Sequence, residues 1–295
     1  MAKKEVEKIE ELTKKSIVND WLFRYTGLPL EDFGKYIILT NFQGYVKDFA
    51  KIVPLIAYEY NLEKGITEIV ENKCNIVGED RNMPSATYKK NAKDPGITII
   101  NFGMGSPNAA TIIDLLTAIN PKAILFLGKC GSLKDDHSGI KLGSFILPIA
   151  AIRSEGTSDD YLPKNVPALP AFMLQRVVST STRDNNCDYY TGVIYTTNRR
   201  VWEFDENFKK KLVETHAIAI DMETATVFSV GFANNIPTGA LLLVSDQPMI
   251  ANGIKTEKSD KIVTENFVEK QLKIGIEAIN IIIRDGSSVK HLKFE

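Results

Sequence analysis

The acids of this chain best placed for chemistry fall in one stretch, Ile220–Pro248, IDMETATVFSVGFANNIPTGALLLVSDQP. Asp221 and Glu223 open it and Ser245-Asp246 nearly close it. Carboxyl groups can donate a proton, accept hydrogen bonds from hydroxyls, or offset positive charge as it develops. What they do depends on where the intervening elements put them. Met222, Ala225, Val227, Phe228 and Phe232 recur at helical spacing, and Asn234-Asn235, Pro237 and Gly239 supply a stop and a turn. Ala240–Val244 is an unbroken apolar run, the pattern of a strand covered on both faces. Ligands of open α/β sheets bind beyond the carboxyl ends of strands. Ser245 and Asp246 are therefore expected at the rim of a site, beside apolar groups that raise a carboxylate's pKa. Asp221 and Glu223 fall at the start of the helix, where backbone N–H groups favour negative charge. The same spacing also suits acids that merely cap a helix and end a strand.

A second candidate is Gly103-Met104-Gly105-Ser106-Pro107-Asn108, which follows the strand-like ITIINF. Ser106 suits an N-cap and Pro107 a first helical position, so Gly105 and Ser106 can cradle an anion. It is not a dinucleotide fingerprint, because Asn108 stands where the third glycine belongs and no acid follows the next strand, AILFLG. Lys129, Arg153, Arg199 and Arg200 lie at strand ends or in loops and suit a phosphate, Arg as a fork and Lys as a point charge. Trp202 is placed either to stack on a base or to pack in the core. His137, His216 and His291 are too dispersed for a metal site, and no Walker A, HExxH or GxSxG sequence occurs. No metal and no cofactor is expected.

These residues need a scaffold, and the chain reads as α/β. Strands are expected at 97–102, 123–128, 144–150, 191–197, 217–220 and 240–244. Helices are expected at 106–119, 171–180, 222–235 and 260–284. Strand, glycine turn, helix and strand from Ile97 to Gly128 make a βαβ unit, hence parallel pairing. Residues 1–96 are expected to be a helical N-terminal segment with turn-rich connections at 61–96, packed on a catalytic domain spanning 97–295. A net charge of −1 gives no electrostatic case for nucleic acid or an anionic membrane. Cys74, Cys130 and Cys187 form no disulfide or zinc pattern. No apolar run approaches the roughly 18 residues of a membrane span, and residues 1–15 are too charged for a signal peptide, so none is expected. A cytoplasmic protein is expected.

Four motifs together resemble the nucleoside phosphorylase/nucleosidase family. They are the GMG turn, a Gly-x-Cys-Gly turn at 128–131, Asp-Met-Glu-x-Ala-Thr at 221–226 and Val-Ser-Asp at 244–246. TTNRRVWE (196–203), LLVSDQP (242–248) and KIGIEAIN (273–280) are most similar to its AMP-cleaving branch. The resemblance implies a three-layer α/β/α sandwich with a central mixed sheet, over roughly residues 97–284. It implies cleavage of the N-glycosidic bond of AMP, with Asp246 protonating the base at N7. Glu223 would bind the ribose hydroxyls and stabilise the cationic sugar, and Met222 would wall the ribose. Lys129, Arg153 and Arg200 would take the 5′-phosphate. A homo-oligomer is implied, a hexamer by the family's habit.

Two departures bear on the reaction. The family's phosphorylases hold their attacking phosphate with an Arg two residues before the Gly-x-Cys-Gly motif and a Ser within it. Here those positions are Phe126 and Lys129, so hydrolysis is expected and not phosphorolysis. The segment before Ile97 is also expected to differ from the N-terminal regulatory domain of longer AMP-cleaving relatives, so their regulation is not expected. The alternatives are a nucleosidase or phosphorylase for an uncharged purine nucleoside (methylthioadenosine, adenosylhomocysteine, adenosine or inosine), a non-catalytic nucleotide-binding protein, and a dinucleotide-dependent oxidoreductase.

Overall fold

Runs of consecutive large apolar residues form the inner strands of one mixed sheet. The computed structural model describes residues 2–63, 74–134 and 136–285; part of the turn-rich 61–96 connection (64–73) and His291 lie outside them. The strands are β1 (Tyr36–Thr40), β2 (Ile76–Val77), β3 (Ser85–Tyr88), β4 (Ile97–Asn101), β5 (Ala123–Ser132), β6 (Phe145–Ser154), β7 (Tyr189–Thr197), β8 (Ala219–Asp221) and β9 (Thr238–Asp246). Their order is β2-β3-β4-β1-β5-β8-β7-β6-β9, with a further pairing of β5 to β9. β1 is parallel to β4 and β5, and β5 is parallel to β9. That extra pairing makes β5, β8, β7, β6 and β9 a closed circuit of strands.

The helices are α1 (Ala2–Thr26), α2 (Gln43–Glu63), α3 (Ser106–Leu116), α4 (Phe172–Asp184), α5 (Glu206–Glu214), α6 (Thr224–Ala233) and α7 (Glu257–Asp285). The strand period of two sorts the core between two faces. Ile37 and Leu39 of β1, with Ile124 and Phe126 of β5, pack with residues of α1, α3 and α6. Tyr36 and Ile38, with Leu125 and Leu127, pack with α2, α4 and α7. Helices thus cover both faces, the expected α/β/α sandwich. Gln271 of α7 ties the layers together, donating to the Gly128 and Leu241 carbonyls and accepting from Tyr45 Oη at 2.7 Å.

Three expectations need correction. Tyr36–Thr40, assigned to a helical segment, is a fully buried strand between β4 and β5. A short run such as YIILT has no periodicity that separates a buried strand from a buried helix turn. Residues 128–131 are not a turn: β5 continues through them to Ser132, with an irregularity against β9 at Cys130/Gly131. Finally, Ser106 is the first residue of α3, and the N-cap is Gly105, at φ 95° and ψ 154°, a backbone conformation that favours glycine.

Candidate active site

The carboxyl ends of β1, β5, β7, β8 and β9 converge on a cavity of about 210 Å³. The irregularity in β5 brings Gly131 opposite Asp246, as bulges beside active sites re-aim side chains. A Cβ on Gly131 would stand 3.0 Å from Asp246 Oδ2, so the bare backbone leaves the carboxyl its place. Ser245 Oγ donates to Asp246 Oδ1 at 2.7 Å. Burial raises the pKa of Asp246, against the pull of the Ser245 hydroxyl and the charges of Lys255 and Arg200. The group is therefore biased toward holding a proton.

Asp221 ends β8 and Glu223 occupies the N-cap position of α6. Both are buried and both line the cavity. Asp221 accepts from Thr196 Oγ1 at 2.7 Å and from the Thr224 amide at 2.8 Å, yet burial raises its pKa. Glu223 is pushed up to about 7 by burial and by the charge of Asp221, although the Gly105 amide and the Asn41 side chain favour its ionised form. The Gly105 amide lies 2.7 Å from Glu223 Oε1, and Ser106 Oγ donates to the Met222 carbonyl at 2.6 Å. The glycine-rich turn therefore is not an open cradle for a ligand anion. The anion at the Gly105 amide is Glu223 itself, and of this turn only Met104 lines the cavity.

The cations divide into two groups. Lys129 Nζ is 2.8 Å from both Asp260 Oδ1 and Thr264 Oγ1 and 4.5 Å from the Phe42 ring centroid. Burial lowers its pKa while Asp260 raises it. Lys255 Nζ reaches the same Asp260 oxygen at 3.1 Å and the same ring at 5.4 Å, so two ammonium groups share one carboxylate. Arg200 is half-exposed, and its nearest acid is Glu203 at 3.8 Å. Arg199 is bound to Asp205 at 2.7 Å. All four line the cavity. Arg153 does not. Its guanidinium is buried and donates to Ser158, Asp159 and the carbonyls of Leu162, Pro163 and Val166. It knits a loop and has no valence left for a phosphate. Trp202 packs edge-on against Phe208 at 5.5 Å, the core role considered for it, and also lines the cavity.

The sequence pattern of the phosphorylase superfamily matches residues 35–280. The chain belongs to the phosphorylase superfamily. The AMP nucleosidase of Bacteroides thetaiotaomicron VPI-5482 has a similar solved structure, with 48% sequence identity and a TM-score of 0.71 over 93% of this chain and 99% of that one. The AMP nucleosidase of Escherichia coli K12 is 28% identical over 293 residues, 92% of this chain and 60% of its own. The guanosine phosphorylase of Halorubrum lacusprofundi is 28% identical over 226 residues, 75% and 91% of the two chains. This chain thus spans about 60% of the length of the Escherichia coli AMP nucleosidases it matches.

Within this superfamily scaffold the structure brings together Asp246, Ser245, Glu223, Met222, Trp202, Lys129 and Arg200. Gly105 and Ser106 act one layer behind, through Glu223 and Met222, and Arg153 lies apart. Asn41, Phe42, Glu203 and Lys255 line the cavity without having been anticipated. Asn41 and Phe42 follow the carboxyl end of β1, so reading YIILT as a strand would have pointed to them. Lys255 lies beyond the last strand, in a connection with no local signature. Among the described residues no cluster of metal-ligating side chains occurs, and no helix is long and apolar enough to cross a membrane.

Proposed function

We propose that the protein hydrolyses the N-glycosidic bond of AMP to adenine and ribose 5-phosphate, acting in the cytoplasm as a homo-oligomer, a hexamer by family resemblance. One observation carries the reading. Asp246, biased toward protonation, and Glu223, a second buried carboxyl, face one cavity that also holds unsaturated cations. Asp246 delivers its proton to N7, so the base leaves neutral; such help contributes about 10²–10⁴-fold. Glu223, once ionised, accepts from a ribose hydroxyl and offsets the positive charge growing on the sugar. Asn41 Oδ1, buried with no hydrogen-bond partner, is a further acceptor for a ribose hydroxyl. Met222 walls the sugar and Trp202 the base. Lys255 and Arg200 meet the 5′-phosphate, with Lys129 behind them, bound to Asp260.

Water is the nucleophile. Phe126, at the position of the phosphorolytic Arg, is fully buried with its ring 5.8 Å from that of Phe102. Lys129, at the position of the Ser, is tied to Asp260. Neither is free to hold inorganic phosphate beneath the sugar. The similarity to the Bacteroides thetaiotaomicron AMP nucleosidase, over 93% of this chain, supports the same reading.

The test is product identity. AMP and adenosine are each incubated with the protein, with and without inorganic phosphate, beside Asp246→Asn. Ribose 5-phosphate from AMP under both conditions, and a fall of about 10²–10⁴-fold in the mutant, are expected. Ribose 1,5-bisphosphate would make the reaction phosphorolytic, and a preference for adenosine would move the protein to the uncharged nucleosides.

A further inference from the structure

We propose that Glu203 reads the 6-position of the purine and makes the site selective for 6-amino over 6-oxo nucleotides. The inference rests on Asp246 addressing N7. On the edge of a purine that carries N7, adenine presents its 6-amino donor beside N7, whereas guanine and hypoxanthine present O6, an acceptor. A protein group next to the N7 acid therefore meets a donor in one class of substrate and an acceptor in the other. An ionised carboxylate can only accept. It matches the first and opposes the second.

Glu203 is built for that position. It lines the cavity together with Asp246, Ser245 and Trp202, and its side chain is 15% exposed. Oε2 accepts from the Trp202 amide at 2.9 Å, which fixes the carboxylate beside the indole that walls the base. Oε1 has Arg200 Nη1 at 3.8 Å, beyond hydrogen-bond reach, so this oxygen keeps its accepting capacity. The charge of Glu203 is felt at the acid itself: burial is the main cause that raises the pKa of Asp246, and Glu203 adds to it. Acid and acceptor thus face one cavity and feel each other's charge, the pairing that N7 and the 6-amino group of adenine would meet. Glu203 also supports protonation of Asp246 for either base, but only the amino group gains from the free oxygen.

The test compares kcat/KM for AMP, IMP, adenosine and purine riboside 5′-monophosphate, which has hydrogen at position 6, in wild type and Glu203→Gln. The amide still accepts from the Trp202 amide and now offers a donor. Wild type should prefer AMP over both IMP and the 6-hydrogen nucleotide. In Glu203→Gln the AMP-to-IMP ratio should fall about 10- to 100-fold, while the AMP-to-adenosine ratio holds. An unchanged AMP-to-IMP ratio overturns the proposal. So does a change confined to the AMP-to-adenosine ratio, which would mean that Glu203 acts through Arg200 on the phosphate. The 6-hydrogen nucleotide tests the same contact from the substrate side without a mutation: if wild type cleaves it as well as AMP, no group reads the amine. A wild-type protein that cleaves no purine nucleotide defeats the functional reading itself, an outcome distinct from cleavage of AMP and IMP alike.

Discussion

Replacing Glu223 with glutamine separates the strain of burying this carboxylate from its use in the reaction. Glu223 is 1% exposed. Burial and the neighbouring Asp221 push it from 4.5 up to about 7. With about 1.4 kcal/mol for each tenfold change in proton affinity, the ionised form carries a penalty on the order of 3 kcal/mol in the folded protein. A folded-state pKa above the unfolded one contributes stability that is complete below about pH 4.5 and lost as pH rises through about 7. Wild type at pH 8.5 therefore bears the whole penalty and Glu223→Gln bears none. Glutamine can still accept from the Gly105 amide, so the loop should keep its place. Urea denaturation of both proteins at pH 5.5, 7 and 8.5 should show the mutant gaining on wild type by roughly 2 kcal/mol across that range, most of it between pH 5.5 and 7, where the unfolded chain is ionised and the folded protein is still titrating. Turnover of AMP by the mutant should fall about 10²–10³-fold, because a neutral amide offsets little charge on the sugar. A stability difference that stays constant with pH would show that Glu223 is not the strained titrating group. Wild-type turnover in the mutant would remove its role in the reaction.

Other consequences can be checked separately. Gly131→Ala places a Cβ 3.0 Å from Asp246 Oδ2 and 3.3 Å from both Ile220 and Pro248; it should lower kcat on AMP by about 10-fold or more with a smaller change in KM, since small misplacements of catalytic groups are costly. Arg153→Ala should cost about 3–5 kcal/mol in denaturation experiments by stripping the 158–166 loop of its buried cation, while the ratio of kcat/KM for AMP and adenosine stays at the wild-type value. Arg200→Ala should do the reverse, lowering that ratio by about 1.5–3 kcal/mol, and Arg200→Lys should restore only part of it because the fork is gone. A ratio that follows Arg153 and ignores Arg200 would place the phosphate elsewhere.

That Asp246 and Glu223 reach the cavity was legible because each acid stands at a boundary that the chain announces. ALLLV gives way to Ser245-Asp246 where β9 ends, and Asp221 and Glu223 flank the change from β8 to α6. Arg153 looked equivalent to Arg200, since both are cations at strand ends. What separates them is supply: carbonyls and a hydroxyl of the following loop fold back onto Arg153, whereas among the described residues Arg200 has only its ion pair with Glu203, at 3.8 Å. That difference lies in loop geometry, which residue spacing does not encode. Lys129 was ambiguous for a similar reason, because Asp260 and Thr264 reach it from α7, far along the chain. The glycines of 128–131 suggested a turn. In fact Gly128 makes room for the ring of Phe126 and Gly131 for the carboxyl of Asp246, close approaches within a strand that sequence reads as flexibility.

The central strand β5 has a consequence for how this protein is made. Tyr36 pairs with Ala123, Thr238 with Ile124 and Ile220 with Gly131, so β5 finds partners in widely separated parts of the chain. Each pairing closes a long loop before it gains anything from contact, and pairings of that kind are slow. The irregularity at Cys130/Gly131 that seats Asp246 exists only once β9 is in register with β5, and Glu223 is seated only once β8 has joined. A denatured chain returned to buffer should regain helix early and cleavage last, and the lag between them is the time the sheet takes to find its register.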